Sequence, residues 1–230
     1  MSATLVNLIP GIHTVNHAAV ATAGIVTVGL VVAGFAANSA LGRGEEQVAP
    51  ANRFSLRGLF EVLTEFITGL ADSVIGQEEG RKFVPLFAAV FTFVYANNMF
   101  GMLPGLVPAT ENMNMTAAMA ILVFLGYNIV GIQHHGIGYI KHFLGPMPIL
   151  IPFMLPLEIL SHLVRPFSLS MRLSNVLAGD HAVVGVFVDL TKVIGPLPFY
   201  MLGLIVAFVQ AFVFTLLSMV YVKMANDHAH

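Results

Sequence analysis

The sequence contains no cysteine and no tryptophan, and only 10% of its 230 residues are charged. The first absence excludes a disulfide framework and any thiolate metal site. The second leaves tyrosine and basic side chains as the anchors available at a membrane interface. The scarcity of charge excludes most, because a soluble domain carries about 25% charged residues. This chain is instead 57% hydrophobic, with a strongly positive mean hydropathy, which is the composition of a membrane protein. Its net charge of -2 argues against a nucleic-acid partner. No Lys or Arg precedes Arg43, so the N-terminal stretch lacks the basic region of a signal peptide. There is no P-loop, dinucleotide fingerprint, HExxH or nucleophile elbow, so nothing points to group-transfer chemistry or a bound cofactor in this chain itself.

What is present is a series of long apolar runs. About 20 apolar residues cross a hydrocarbon core about 30 Å thick. Four regions meet that length: Ala18–Leu41, Phe83–Leu103, Met115–Gln133 and Gly195–Val222. A fifth, Ile149–Leu190, is apolar overall but holds Glu158, Arg165, Arg172, Asp180 and Asp189. After Pro156 it reads as one helix of roughly 50 Å at about 1.5 Å per residue, longer than a bilayer is thick. It must therefore tilt or break, and Pro166, which frees the carbonyl of His162, is the natural bend. Between Phe54 and Val74 the pattern changes. Phe60, Leu63, Ile67, Leu70 and Val74 recur at helical spacing, while Arg57, Glu61, Glu65 and Asp72 mark another face. That is an amphipathic helix lying on the membrane surface.

The expected architecture is an all-α polytopic membrane protein with about five membrane helices and one surface helix. It reads as a single membrane domain over residues 1–230. Its parts are a first span at 18–41, an interfacial helix at 54–75, a hairpin at 83–133, and two long helices at 149–190 and 195–223. Arg43, Arg53, Arg57, Arg81, Lys82, Lys141 and Lys223 fall on one side if the spans alternate. The positive-inside rule then places the N-terminus outside and the C-terminus in the cytoplasm.

On a helix, residues seven apart return nearly to the same face, so Glu158, Arg165, Arg172 and Gly179 form one stripe. Ser161 or His162, Ser168 and Asn175 join it. An Arg at the centre of a membrane span costs from about 3 to about 17 kcal/mol depending on how it is measured. It is tolerated where it faces a polar cavity or a counter-charge. Glu158 and Arg165 fit an ion pair that holds helices together equally well, but Arg172, far from either helix end, points to an ion pathway. Asp180 and His181 lie nearer the outer end, where water and protons reach them. Gln210 is the strongly polar side chain in the apolar run Gly203–Leu217 and fits either packing or a polar path. The remaining histidines carry less. His13 and His17 are four apart but lack further metal ligands. His134, His135 and His142 read as loop residues, and His228 and His230 as a polar tail. No metal site is expected.

The runs PFSLSMRLSNVLAGDH and VQAFVFTLLSMVYV, together with NNMFGMLPGLVPATENMNMTAAMA, resemble subunit a of the F-type ATP synthases. The resemblance covers the chain from about Leu59 onward. It implies a stator in the bacterial plasma membrane, working against a ring of c subunits, with peripheral-stalk b subunits as further partners and the F1 sector reached indirectly. The last two long helices would lie strongly tilted along the ring. Arg172 matches the family's essential ion-translocating arginine. Asn175, Asp180 or His181, and Gln210 map to the outer half-channel. Glu158 and Ser161 map to the inner one, with His162 beside them, Arg165 at a commonly basic position and Ser168 one turn before Arg172. Two departures from the family pattern matter. The sequence AGDH leaves either Asp180 or His181 as the outer relay, and Gly203 stands where a Glu or His is common. From the residues alone, the rival is an ion-coupled secondary transporter, which would typically show an internal repeat. No clear repeat is present.

Overall fold

The structure, a computed structural model, describes residues 15–39, 55–102, 108–135, 151–191 and 195–227. His13, Arg43, Arg53, Lys141, His142, Lys192, His228 and His230 lie outside the described residues. The described residues form helices and no strand, as the all-α reading expects. In chain order they are α1 (Val15–Ser39), α2 (Leu56–Val74), α3 (Gln77–Gly101), α4 (Met113–His135), α5 (Ile151–Thr191) and α6 (Leu197–Asp227). By length and composition Ala19–Ser39, Gln77–Gly101 and Leu197–Ala225 suffice to cross a membrane, and Met113–Ile129 is a shorter apolar helix. The chain is an all-α polytopic membrane protein. Its contacts cluster into two units, Met1–Ala109 and Thr110–His230.

In the first unit, α2 packs on α3, and α1 contacts both. Ser55 caps α2: its hydroxyl accepts a hydrogen bond from the Gly58 amide at 3.0 Å. The helix is amphipathic, as its spacing predicts. Ile67 and Ala71 are fully buried, and Phe66 reaches the ring of Phe91 at 6.0 Å. On another face Arg57 pairs with Glu61 at 2.7 Å in i, i+4 geometry, the arginine side chain largely buried and the glutamate side chain more exposed. Leu59 and Val62 remain exposed next to Glu65, so this helix has apolar surface beyond what α3 covers.

The turn from α2 into α3 depends on two glycines. Gly76 adopts φ 112° and ψ 159°, a region essentially reserved for glycine. At Gly80 a Cβ would lie 2.8 Å from the carbonyl oxygen of Ala71, so the helices approach as closely as they do only because no side chain intervenes. Gly76→Ala should cost about 1–3 kcal/mol of stability. This would be read as earlier unfolding in a detergent titration; an unchanged midpoint would contradict the turn geometry.

The second unit is a three-helix arrangement in which α4, α5 and α6 all contact one another. Lipid tails are as apolar as leucine, so membrane helices associate through close packing and internal hydrogen bonds. Both long helices carry the required small residues at four-residue spacing. On α6 these are Gly203, Ala207, Ala211 and Thr215, all buried. On α5 Ser170 and Ser174 are buried, with Pro166 before them and Ala178 after, both half-buried. Gly203 thus belongs to a packing ridge. The larger apolar core comes from Leu169, Leu173 and Leu177 of α5, Phe214, Met219 and Val222 of α6, and Val123 and Tyr127 of α4.

Three cross-helix contacts show that α4 runs antiparallel to α5. Glu111, just before α4, meets His181; Thr116 meets Ser170; and Tyr127 lies against His162. Ascending numbers on one element pair with descending numbers on the other, which fixes register along most of α4.

Candidate functional site

α5 is continuous over 41 residues although Pro156 and Pro166 lie inside it. Each proline removes one backbone donor and displaces the carbonyl four residues earlier. The helix survives because its buried face is held by α4 and α6.

The two faces of α5 differ sharply. The inward face carries His162, Leu169, Ser170, Leu173, Ser174, Leu177 and Val184, all buried. The outward face runs through Leu157, Ser161, Val164, Phe167, Arg172, Asn175, Gly179, Val183, Val186 and Leu190, all exposed. Arg172 therefore stands near the middle of a membrane-length helix, on a surface otherwise dominated by apolar side chains. It has no hydrogen bond or ion pair with any described residue. Asn175 lies one turn further on the same face, and Ser168, half-buried, one turn before.

The other sequence-predicted residues are distributed around this stripe. Ser161 and His162 are neighbours in sequence but face opposite ways. Ser161 is exposed, while His162 is 8% exposed, with its ring 6.3 Å from that of buried Tyr127. The Arg165 guanidinium carbon lies 5.8 Å from the ring centre of Tyr221 on α6, within cation–π range. Tyr221 in turn lies 6.1 Å from Tyr127. Arg165 is thereby drawn toward α6, although it shares a heptad position with Arg172. Glu158 lies on α5 two turns before Arg165. Gln210 is half-buried on α6 and makes no hydrogen bond to a described residue.

At the far end of α5, His181 Nδ1 lies 3.3 Å from Glu111 Oε2, a hydrogen bond that becomes an ion pair when the imidazole is protonated. Asp180, the adjacent residue, has its Oδ2 buried without a partner among the described residues. The two candidates for the outer relay are therefore not equivalent: His181 engages a second carboxylate, whereas Asp180 does not.

Glu111 is the residue that the sequence reading missed. Its position follows from local chemistry. A 3-10 turn at Ala109–Glu111 leads into Asn112, whose side-chain oxygen accepts from the Asn114 amide at 2.9 Å. The Asn112 backbone carbonyl receives the amides of Met115 and Thr116. Asparagine is a strong helix-capping residue, so α4 starts here and Glu111 is held just outside its first turn. The available signal was an acid directly before a capping Asn at the head of an apolar helix.

The arrangement offers one cation facing outward at mid-helix and, about two and a half turns away, a histidine–carboxylate pair able to accept and release protons. Comparison with known proteins identifies the setting. The chain matches the ATP synthase A chain family over residues 20–223. It is 55% identical to ATP synthase subunit a of Bdellovibrio bacteriovorus over 232 aligned positions, covering 100% of both chains. It is 41% identical to ATP synthase subunit a of Citrifermentans bemidjiense over 90% of this chain and 86% of that one. For ATP synthase subunit a of Nitratidesulfovibrio vulgaris the identity is 46%, over 76% and 75% of the two chains. With all-α membrane architecture, a mid-helix arginine and similarity along its whole length, the chain belongs to the ATP synthase A chain family.

Proposed function

We propose that this chain is the proton-translocating stator of an F-type ATP synthase in a bacterial plasma membrane, with its N-terminus outside and its C-terminus in the cytoplasm. Its partners are a ring of c subunits and the peripheral-stalk b subunits. The F1 sector, reached indirectly, makes the ATP, so the chain alone catalyses no group transfer. The observation that carries this reading is Arg172, an exposed cation at mid-helix with no partner among the described residues. Such a charge in hydrocarbon demands an anion from outside the chain.

The chemistry follows from the guanidinium. A carboxyl group carried on a ring can face lipid only when protonated, because the ionised form is too costly there. Beside Arg172 the ionised form is favoured and the proton leaves. Arginine stays charged and does not pass the proton on, so it acts as counter-charge and as seal between two half-channels. Protons reach the ring from outside by way of His181, Asp180, Asn175 and Gln210. They leave toward the cytoplasm past Ser168, Arg165, His162, Ser161 and Glu158. The membrane potential contributes about 2.3 kcal/mol per charge per 100 mV, which sets the direction of rotation. The pairing of His181 with Glu111 supports His181 as the outer relay and adds Glu111 beside it.

The test is Arg172→Ala in the assembled complex. Proton-driven ATP synthesis should vanish while the complex still assembles. Synthesis at the wild-type rate would refute the stator reading.

A further inference from the structure

Arg172 has no hydrogen bond or ion pair of its own among the described residues, so its place is set by the helix that carries it. That helix carries a proline, a weak joint in backbone hydrogen bonding, six residues earlier. Pro166 lacks the amide that would bond the carbonyl of His162, so the helix is held there by one backbone hydrogen bond fewer and relies more on its packing against α4 and α6. Among the described residues, the first interhelical hydrogen bond beyond the joint is Thr116–Ser170, at 3.0 Å between α4 and α5. It is one turn past Pro166 and two residues before Arg172. Thr116 is 0% exposed and Ser170 2%.

Either hydroxyl can donate in this contact. Thr116 Oγ1 also lies 3.1 Å from the carbonyl of Met113 and 3.5 Å from that of Asn112, within its own helix. The contact therefore joins Ser170 to the first turn of α4, which is fixed in turn by the Asn112 cap. Both side chains are buried, and the hydrogen bond between them exists only while α5 keeps this register against α4.

We infer that Thr116 is a positioning residue for Arg172. Through Ser170 it pins the segment of α5 between the Pro166 joint and the arginine, and so fixes where the guanidinium stands relative to a passing ring carboxylate. The inference rests on the stator reading of Arg172. It differs from that reading in placing part of the coupling on a hydroxyl in α4, on the opposite side of α5 from the exposed stripe.

The experiment uses the whole ATP synthase in liposomes, with Thr116→Val, Thr116→Ser, Ser170→Ala and the Val/Ala double variant. Valine matches the shape of threonine but removes the hydroxyl, and serine keeps it. The readout is protons pumped per ATP hydrolysed, per assembled complex. A purely structural loss would lower the amount of complex without moving that ratio. An interhelical hydrogen bond of this kind shifts populations by about three- to tenfold. Thr116→Val and Ser170→Ala should each lower the coupling ratio by a factor in that range. The double variant should be no worse than either single change, and Thr116→Ser should remain near wild type. A wild-type ratio in Thr116→Val, or effects that multiply in the double variant, would overturn the inference. Should Thr116→Val not assemble, Ser170→Ala decides by itself, since it only trims an oxygen. Arg172→Ala in the same vesicles separates the two claims. If it is inactive while Thr116→Val couples normally, the positioning role alone fails. If it couples normally, the stator reading fails and this inference with it.

Discussion

Replacing Arg172 by alanine should lower proton-driven ATP synthesis at least about a hundredfold. A carboxylate at the centre of a membrane helix is disfavoured by about 2.5–3.5 kcal/mol even on the most lenient scale, and each 1.36 kcal/mol is a factor of ten. In the proposed stator role, that cost returns without the guanidinium each time a ring carboxyl must ionise beside this chain. Arg172 stands on the exposed face of α5 with no partner among the described residues, and Arg165, seven residues earlier on that helix, is turned to the Tyr221 ring. In that role Arg172 is also the seal, and its removal should let protons cross between the two proposed half-channels without rotation. Passive proton flux through the complex should therefore rise while synthesis falls. Arg172→Lys should not restore function, because a lysine readily loses its proton in an apolar setting and becomes a relay. Assembly should survive all of these changes, because the packed ridge of α5 (Ser170, Ser174 and Leu177) faces the other way.

The second large effect is expected at the outer end of α5. His181→Ala should slow proton uptake about tenfold or more, within the range by which a positioned acid–base group contributes to proton transfer. Glu111→Gln should produce a similar loss, since the hydrogen bond between His181 Nδ1 and Glu111 Oε2 orients the imidazole. Because the two act as one unit, the double variant should be little worse than either single change. Independent, multiplying losses would show that they do not work together. Asp180 makes no such contact, and one of its oxygens is buried without a partner among the described residues. Asp180→Asn should therefore cost less than His181→Ala. Combined with His181→Ala it should exceed either alone, because a second group then remains to carry protons only in the single variants. Initial proton-uptake rates at several external pH values would check both expectations, and equal activity in the Asp180–His181 double variant would sink the role of this pair.

Much of this protein was legible in the sequence because the bilayer is a severe solvent. Hydrocarbon leaves backbone groups no partner but each other, so long apolar runs must become helices. The run Ile149–Leu190 announced α5, observed at Ile151–Thr191, through its length, and with it the place of Arg172 near mid-helix. Amphipathic spacing between Phe54 and Val74 announced α2, observed at Leu56–Val74, in the same way. These are local properties, set by composition and period.

Which way each side chain faces was not legible, because a heptad stripe is blind to the neighbouring helices. Arg165 and Arg172 share one position in the repeat, yet Arg165 lies over Tyr221 while Arg172 faces outward. Ser161 and His162 were interchangeable on the page; burial against Tyr127 separates them. Glu111 lies 70 residues from His181, and Thr116 lies 54 from Ser170. No local pattern links such pairs; only the antiparallel packing of α4 on α5 does. The sequence by itself determined that this is a helical membrane protein carrying an arginine at mid-helix. Tertiary structure alone decided what surrounds that arginine and which histidine meets a carboxylate, because those depend on helix register, and register is set by contacts between residues far apart in the chain.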